Sequence, residues 1–105
     1  MPATFALISH IEVTLDGSPV AAVNELECAE GWLYANVWQT DWILRIDPQS
    51  GDVVAVIDAT PLRQRLGLPA GGDEVLNGIA YRPDTATFLV TGKRWSRLFE
   101  VIFVE

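Results

Sequence analysis

Val75-Leu76-Asn77-Gly78-Ile79-Ala80-Tyr81 admits two readings. Asn-Gly between apolar runs is a strong hairpin signal, because both residues accept the positive φ of a two-residue turn. Laid over Asn24-Glu25-Leu26-Glu27, however, Asn77-Gly78-Ile79-Ala80 becomes the second copy of a repeat at an offset of 53. Two residues added before Thr87 carry the match on: Leu33-Tyr34-Ala35-Asn36-Val37-Trp38 falls on Phe88-Leu89-Val90-Thr91-Gly92-Lys93, and Ile43-Leu44-Arg45-Ile46 on Leu98-Phe99-Glu100-Val101, at an offset of 55. Three or four short antiparallel strands repeated at roughly forty residues, once an intervening helical insertion is discounted, are the signature of a β-propeller blade. On that reading Asn77-Gly78 opens an innermost strand and makes no turn.

Working outward, Phe5 to Leu15 alternates at period two and reads as a strand. Asp16-Gly17 supplies a turn, and Val20 to Val23 resumes an apolar strand, so the first unit is a hairpin. Gly31 to Trp38 places Leu33, Ala35 and Val37 on one side and Trp32, Tyr34, Asn36 and Trp38 on the other, which implies a sheet covered on both faces. Trp42 to Asp47 and Asp52 to Asp58 are two further strands, joined by Pro48-Gln49-Ser50-Gly51. Thr60-Pro61 has the form of a helix N-cap followed by Pro at the first helical position, and Gly67 stops the helix, so a short helix is expected near residues 60–66. Pro69-Ala70-Gly71-Gly72-Asp73 is a boundary loop, and Val75 to Tyr81, Thr87 to Thr91 and Leu98 to Val104 alternate again.

The expected fold is all-β, a partial β-propeller over residues 1–105: an outer hairpin of one blade at 5–23, a blade at 24–58 and a last blade at 75–105. Known propellers need at least four blades, and an open arc leaves apolar faces bare. The rest of the ring is therefore expected from missing blades or from other copies of the chain.

Composition narrows the function. Half of the 105 residues are hydrophobic, which disfavours disorder. Seven basic residues against fourteen acidic ones give a net charge of −7, which removes the electrostatic basis for binding nucleic acid. No apolar run approaches a membrane span, so no membrane partner is expected, and Met1-Pro2-Ala3-Thr4 lacks the basic start of a signal peptide. Cys28 is expected to be a small buried hydrophobe and His10 an edge or packed histidine; neither has companions for a metal site, and no cofactor or metal is expected.

Antiparallel pairing puts Asn24, opening one strand, beside Trp38, closing the next, and Asn77 beside Lys93 by the same argument. The loops Trp38-Gln39-Thr40-Asp41-Trp42 and Lys93-Arg94-Trp95-Ser96 share that rim, which gathers three tryptophans, the chain's only lysine and two asparagines. Aromatic walls with a few fixed polar groups suit a small polar ligand, although tryptophans also cover blade packing and Asn is a common turn residue.

Val23-Asn24-Glu25-Leu26-Glu27, Tyr34-Ala35-Asn36-Val37-Trp38-Gln39-Thr40-Asp41, Arg45-Ile46-Asp47-Pro48, Leu76-Asn77-Gly78-Ile79-Ala80 and Thr91-Gly92-Lys93-Arg94-Trp95 resemble, in order and spacing, the C-terminal part of the plant and bacterial glutamine cyclotransferases. The resemblance implies a five-bladed propeller that converts the N-terminal glutamine of peptides to pyroglutamate with release of ammonia, in a family often secreted or periplasmic. It also implies that Asn24, Trp38 and Lys93 bind substrate at the ring's centre, with Lys93 taking part in catalysis. The family's acid/base glutamate lies in an earlier blade; Glu25 and Glu27 do not match it, and Glu27 is expected to make hydrogen bonds or touch a channel ion. Two functional expectations follow: a cyclotransferase chain inactive alone, or a non-catalytic binding module that closes a ring by oligomerisation.

Overall fold

The computed structural model describes residues 3, 4, 6–69, 72 and 74–104. Met1, Pro2 and Phe5 at the start, Ala70, Gly71 and Asp73 of the expected boundary loop, and Glu105 lie outside the described residues. The strands are β1 (Thr14–Leu15), β2 (Ser18–Pro19), β3 (Val23–Ala29), β4 (Trp32–Val37), β5 (Trp42–Ile46), β6 (Val53–Asp58), β7 (Leu76–Arg82), β8 (Thr87–Gly92) and β9 (Phe99–Val101), with helix α1 (Thr60–Arg65) between β6 and β7. They form three antiparallel sheets of neighbouring strands: β1-β2, β3-β4-β5-β6 and β7-β8-β9.

The pairing registers reproduce the repeat residue by residue. Ala35 stands opposite Leu26 on one side and Leu44 on the other, and Val90 stands opposite Ile79 and Phe99. Both inner strands slip register at the same place, between Val23 and Leu26 and between Leu76 and Ile79. Each Asn thus sits in a β-bulge, which bends a strand and re-aims its side chains. Asn77-Gly78 lies inside β7 and makes no hairpin, as the repeat requires.

The two larger sheets pack face to face. Tyr34 and Ile43 from one meet Leu76, Phe88 and Val90 from the other in a buried cluster, where the Tyr34 and Phe88 rings lie 4.7 Å apart. On the opposite face of the four-stranded sheet, Ala35, Val37, Leu44 and Ile46 are covered by Val13 and Val20 of the first unit. Strand β4 is accordingly buried on both faces from Tyr34 to Val37.

Two expectations need correction at the start of the chain. Among the described residues of the strand expected from Phe5 to Leu15, only Thr14–Leu15 is a strand, and its partner is Ser18–Pro19 in place of Val20 to Val23. Residues 6–12 alternate but belong to no strand, and Leu7, Ile8 and His10 stand exposed, while Val13 O accepts from Val20 N–H at 2.9 Å. The turn itself is as expected, Asp16 and Gly17 both having positive φ. Cys28, expected to be buried, is exposed: it shares the Leu26 face of β3, which β1-β2 does not reach. Strand β9 is also shorter than the expected Leu98 to Val104.

Helix α1 begins one residue off the expected frame. Ala59 occupies the cap position and makes no side-chain cap bond, while Thr60 is already helical and Pro61 follows. Thr60 turns its amide and hydroxyl back to Asp58 instead, at 2.9 and 2.6 Å. Gly67 ends the helix at φ +70, with Gly67 N–H on Gln64 O and Leu68 N–H on Arg63 O, the paired bonds of a Schellman stop.

Candidate functional site

The rim is built from the two bulges and the strand ends facing them. Trp38 N–H donates to Ala22 O at 2.9 Å, and Lys93 N–H to Val75 O at 2.8 Å, so Trp38 and Lys93 close their hairpins at equivalent points. Trp38, 54% exposed, shares a shallow hollow with Ala22, Val23 and Asn24. Across the junction between the two sheets, Asn24 Nδ2 donates to Asn77 Oδ1 at 3.3 Å. Asn24, Trp38, Asn77 and Lys93 therefore occupy one end of the arc. Lys93, Arg94 and Arg97 are all exposed there, and Thr91 Oγ1 braces their loop by donating to Arg97 O at 3.0 Å.

The residue that holds this edge together is Asn36, to which the sequence attached no role. It is 1% exposed; its Oδ1 accepts from Glu25 N at 3.0 Å and its Nδ2 donates to Leu76 O at 2.9 Å. One buried carboxamide thus fastens the residue after Asn24 to the residue before Asn77. The available signal was a polar side chain in a strand apolar on both sides, since such a group stays buried only when its hydrogen bonds are satisfied.

Trp95 does not wall the hollow. Its indole lies against Gly92, where a Cβ would collide with it, donates to Glu74 O at 2.9 Å and packs on the core between the sheets. Trp42 is 46% exposed, and Trp32, on a sheet expected to be covered on both faces, is 36% exposed and belongs to neither core cluster. Asp41, in the loop between the rim tryptophans, accepts from Arg63 Nε at 3.1 and 3.2 Å. Arg63, 6% exposed, also donates to Pro69 O at 3.1 Å and Glu74 O at 2.8 Å, so helix α1 ties the Trp38 loop to the segment on which Trp95 leans.

Two carboxylates near the inner strands, Glu27 and Glu30, are engaged, while Glu25 is exposed on β3. Glu27 Oε1 accepts from Cys28 N at 2.9 Å and Oε2 from Tyr81 N at 3.0 Å, which makes it a clamp between β3 and β7. Glu30 accepts from the Tyr81 hydroxyl at 2.8 Å, and this bond, followed by burial, raises the phenol above its ordinary range. Among the described residues no three His, Cys, Asp or Glu side chains come together in a group that could hold a metal, and no helix is long and apolar enough to cross a membrane.

A propeller arc with an aromatic and carboxamide rim is the class of protein that these sheets and residues define. The sequence profile of the glutamine cyclotransferase family matches residues 1–103, and the chain belongs to that family. A glutaminyl-peptide cyclotransferase from Arabidopsis thaliana is 38% identical over 102 residues, 95% of this chain and 32% of the relative. The crystal structure of Myxococcus xanthus glutaminyl cyclase superposes with a TM-score of 0.85 at 48% identity, over 91% of this chain and 42% of that one. The fold is a partial propeller of that type, and the chain spans about a third of the curated relative and less than half of the solved one.

Proposed function

We propose that this chain forms the substrate-binding part of a glutaminyl-peptide cyclotransferase, with Asn24, Trp38 and Lys93 holding the N-terminal glutamine of a peptide. The observation that carries the reading is the convergence of Trp38 and Asn24 in one hollow, joined through the Asn24–Asn77 bond to the strand whose partner is followed directly by Lys93. In the reaction the substrate's neutral α-amine attacks its own γ-carboxamide carbon, a C–N bond forms, the C–NH2 bond breaks and ammonia leaves. Both reacting groups belong to one molecule, so folding it into a reactive geometry supplies much of the acceleration, about 7–11 kcal/mol in favourable cases. Trp38 packs on the folded side chain and excludes water, while the Lys93 ammonium donates to the oxygen that gains negative charge.

A proton must also move from the attacking amine to the departing nitrogen, which calls for a carboxyl group. Glu27 is held by two backbone amides and Asp41 by Arg63, so neither suits that shuttle, and Glu25, exposed on β3, does not match the family's acid/base glutamate. We assign it to a residue outside these 105, and the chain alone is inactive. The test is ammonia release from a glutaminyl peptide. None is expected from the chain alone; it should appear when the remaining blades of a relative are supplied, and fall at least a hundredfold with Lys93→Ala. Failure of well-folded partners to restore release, or restored release indifferent to Lys93, would overturn the assignment.

A further inference from the structure

We infer that Asn77 is a specificity-determining residue, which pairs with Asn24 to present one acceptor and one donor to the side-chain carboxamide of the substrate. The inference rests on the proposed function and deepens it. A primary carboxamide offers a carbonyl oxygen and an NH2 group. Once Asn24 Nδ2 is committed to Asn77 Oδ1, the Asn24 carbonyl remains as acceptor and the Asn77 NH2 as donor. Turning both amides over exchanges their roles and leaves the same complement. Two joined carboxamides therefore present an edge that matches a third.

The edge is pre-set by the backbone. Both asparagines occupy matching bulges on adjacent inner strands, and Asn36 spans from Glu25 N to Leu76 O, fixing the distance between those bulges. Without the pair the rim would choose wrongly. The lysine at position 93 and the exposed arginines beside it attract a carboxylate more strongly than a neutral amide, so cations alone would favour an N-terminal glutamate over glutamine. A carboxylate accepts but does not donate, so it turns a lone pair toward the asparagine carbonyl and leaves that carbonyl unpaired. Sites built to hydrogen-bond a donor discriminate strongly against analogues that lack it.

The experiment is a titration of the tryptophan emission of the 105-residue chain with a glutaminyl dipeptide and with its glutamyl counterpart. The expected result is that the wild-type chain prefers the glutaminyl peptide at least tenfold, and that Asn77→Ala cuts this preference to about twofold or less. Because the readout is a ratio of two affinities, a variant that is only partly folded reports the same value. Asn77→Asp, nearly isosteric, keeps the acceptor for Asn24 and removes the donor, and should weaken the glutaminyl peptide about tenfold. A wild-type chain that binds the glutaminyl peptide without preference, or an Asn77→Ala ratio equal to wild type, overturns the role of Asn77 while leaving the binding site standing. A wild-type chain that binds neither peptide overturns both.

Discussion

Asn36 shows how one side chain sets the geometry of a site that it does not line. One of its two hydrogen bonds is buried and the other part-buried; Asn36→Ala would strand Leu76 C=O and Glu25 N–H, a buried group left without a partner costing about 1–3 kcal/mol and a part-buried one less. We expect a loss of about 2–4 kcal/mol in urea unfolding, together with loss of peptide binding at Asn24; unchanged stability would mean that the junction repairs itself. Asp58 is the second residue whose chemistry is set locally. The Thr60 hydroxyl first, and the Thr60 amide second, hold its carboxyl below its ordinary 3.8. A carboxylate whose value is lowered by folding adds stability above its unfolded value and loses it as pH falls through the folded one. The stability difference between wild type and Thr60→Val should therefore be present at neutral pH and shrink below about pH 4, and a difference constant down to pH 2 would remove the carboxylate from the account.

At the scale of elements, helix α1 is a six-residue insertion that earns its place through Arg63. Its guanidinium joins Asp41, Pro69 O and Glu74 O, and Glu74 O also receives the Trp95 indole. Removing one partner of a nearly buried ion pair typically costs 3–5 kcal/mol, and the partial exposure of Asp41 places Arg63→Met at about 3. Urea unfolding should show that loss, and the Trp38 and Trp95 emission should shift with it. A change below about 1 kcal/mol would make the contact ornamental. The sequence carried the period of the repeat and even its register, because burial on alternate sides fixes which residue faces which. It did not carry the helix start, where an Asp58–Thr60 turn competes with the cap, nor the lengths of the first and last strands, which depend on neighbours rather than on alternation. At the rim, Asn24, Trp38 and Lys93 were legible from antiparallel pairing. That Trp95 turns inward was not, since nothing in its spacing marks the contact with Gly92 and Glu74 O.

The whole molecule is an arc. Its Cα radius of gyration is 14.9 Å, against about 13 Å for a compact chain of this length. The surplus has a location: β1-β2 covers only the outer half of one sheet face, so Leu26, opposite the fully buried Ala35, is 58% exposed on the inner half. At the other end of the arc Leu98, Ile102 and Val104 are also bare, at 62%, 64% and 82%. Removing apolar surface from water is worth about 25 cal/mol per Å2, so these two faces drive association with whatever apolar partner is present. In solution the 105-residue chain should bind a hydrophobic dye and associate in a concentration-dependent way. Leu26→Thr keeps a good strand former and places a hydroxyl on the bare face, so it should weaken both signals while leaving the unfolding midpoint nearly unchanged. Ala35→Thr, by contrast, buries a hydroxyl on the covered part of the same face and should destabilise the sheet outright. A monomer that binds no dye at high concentration would mean that the two ends are covered in solution and that the open arc does not persist there.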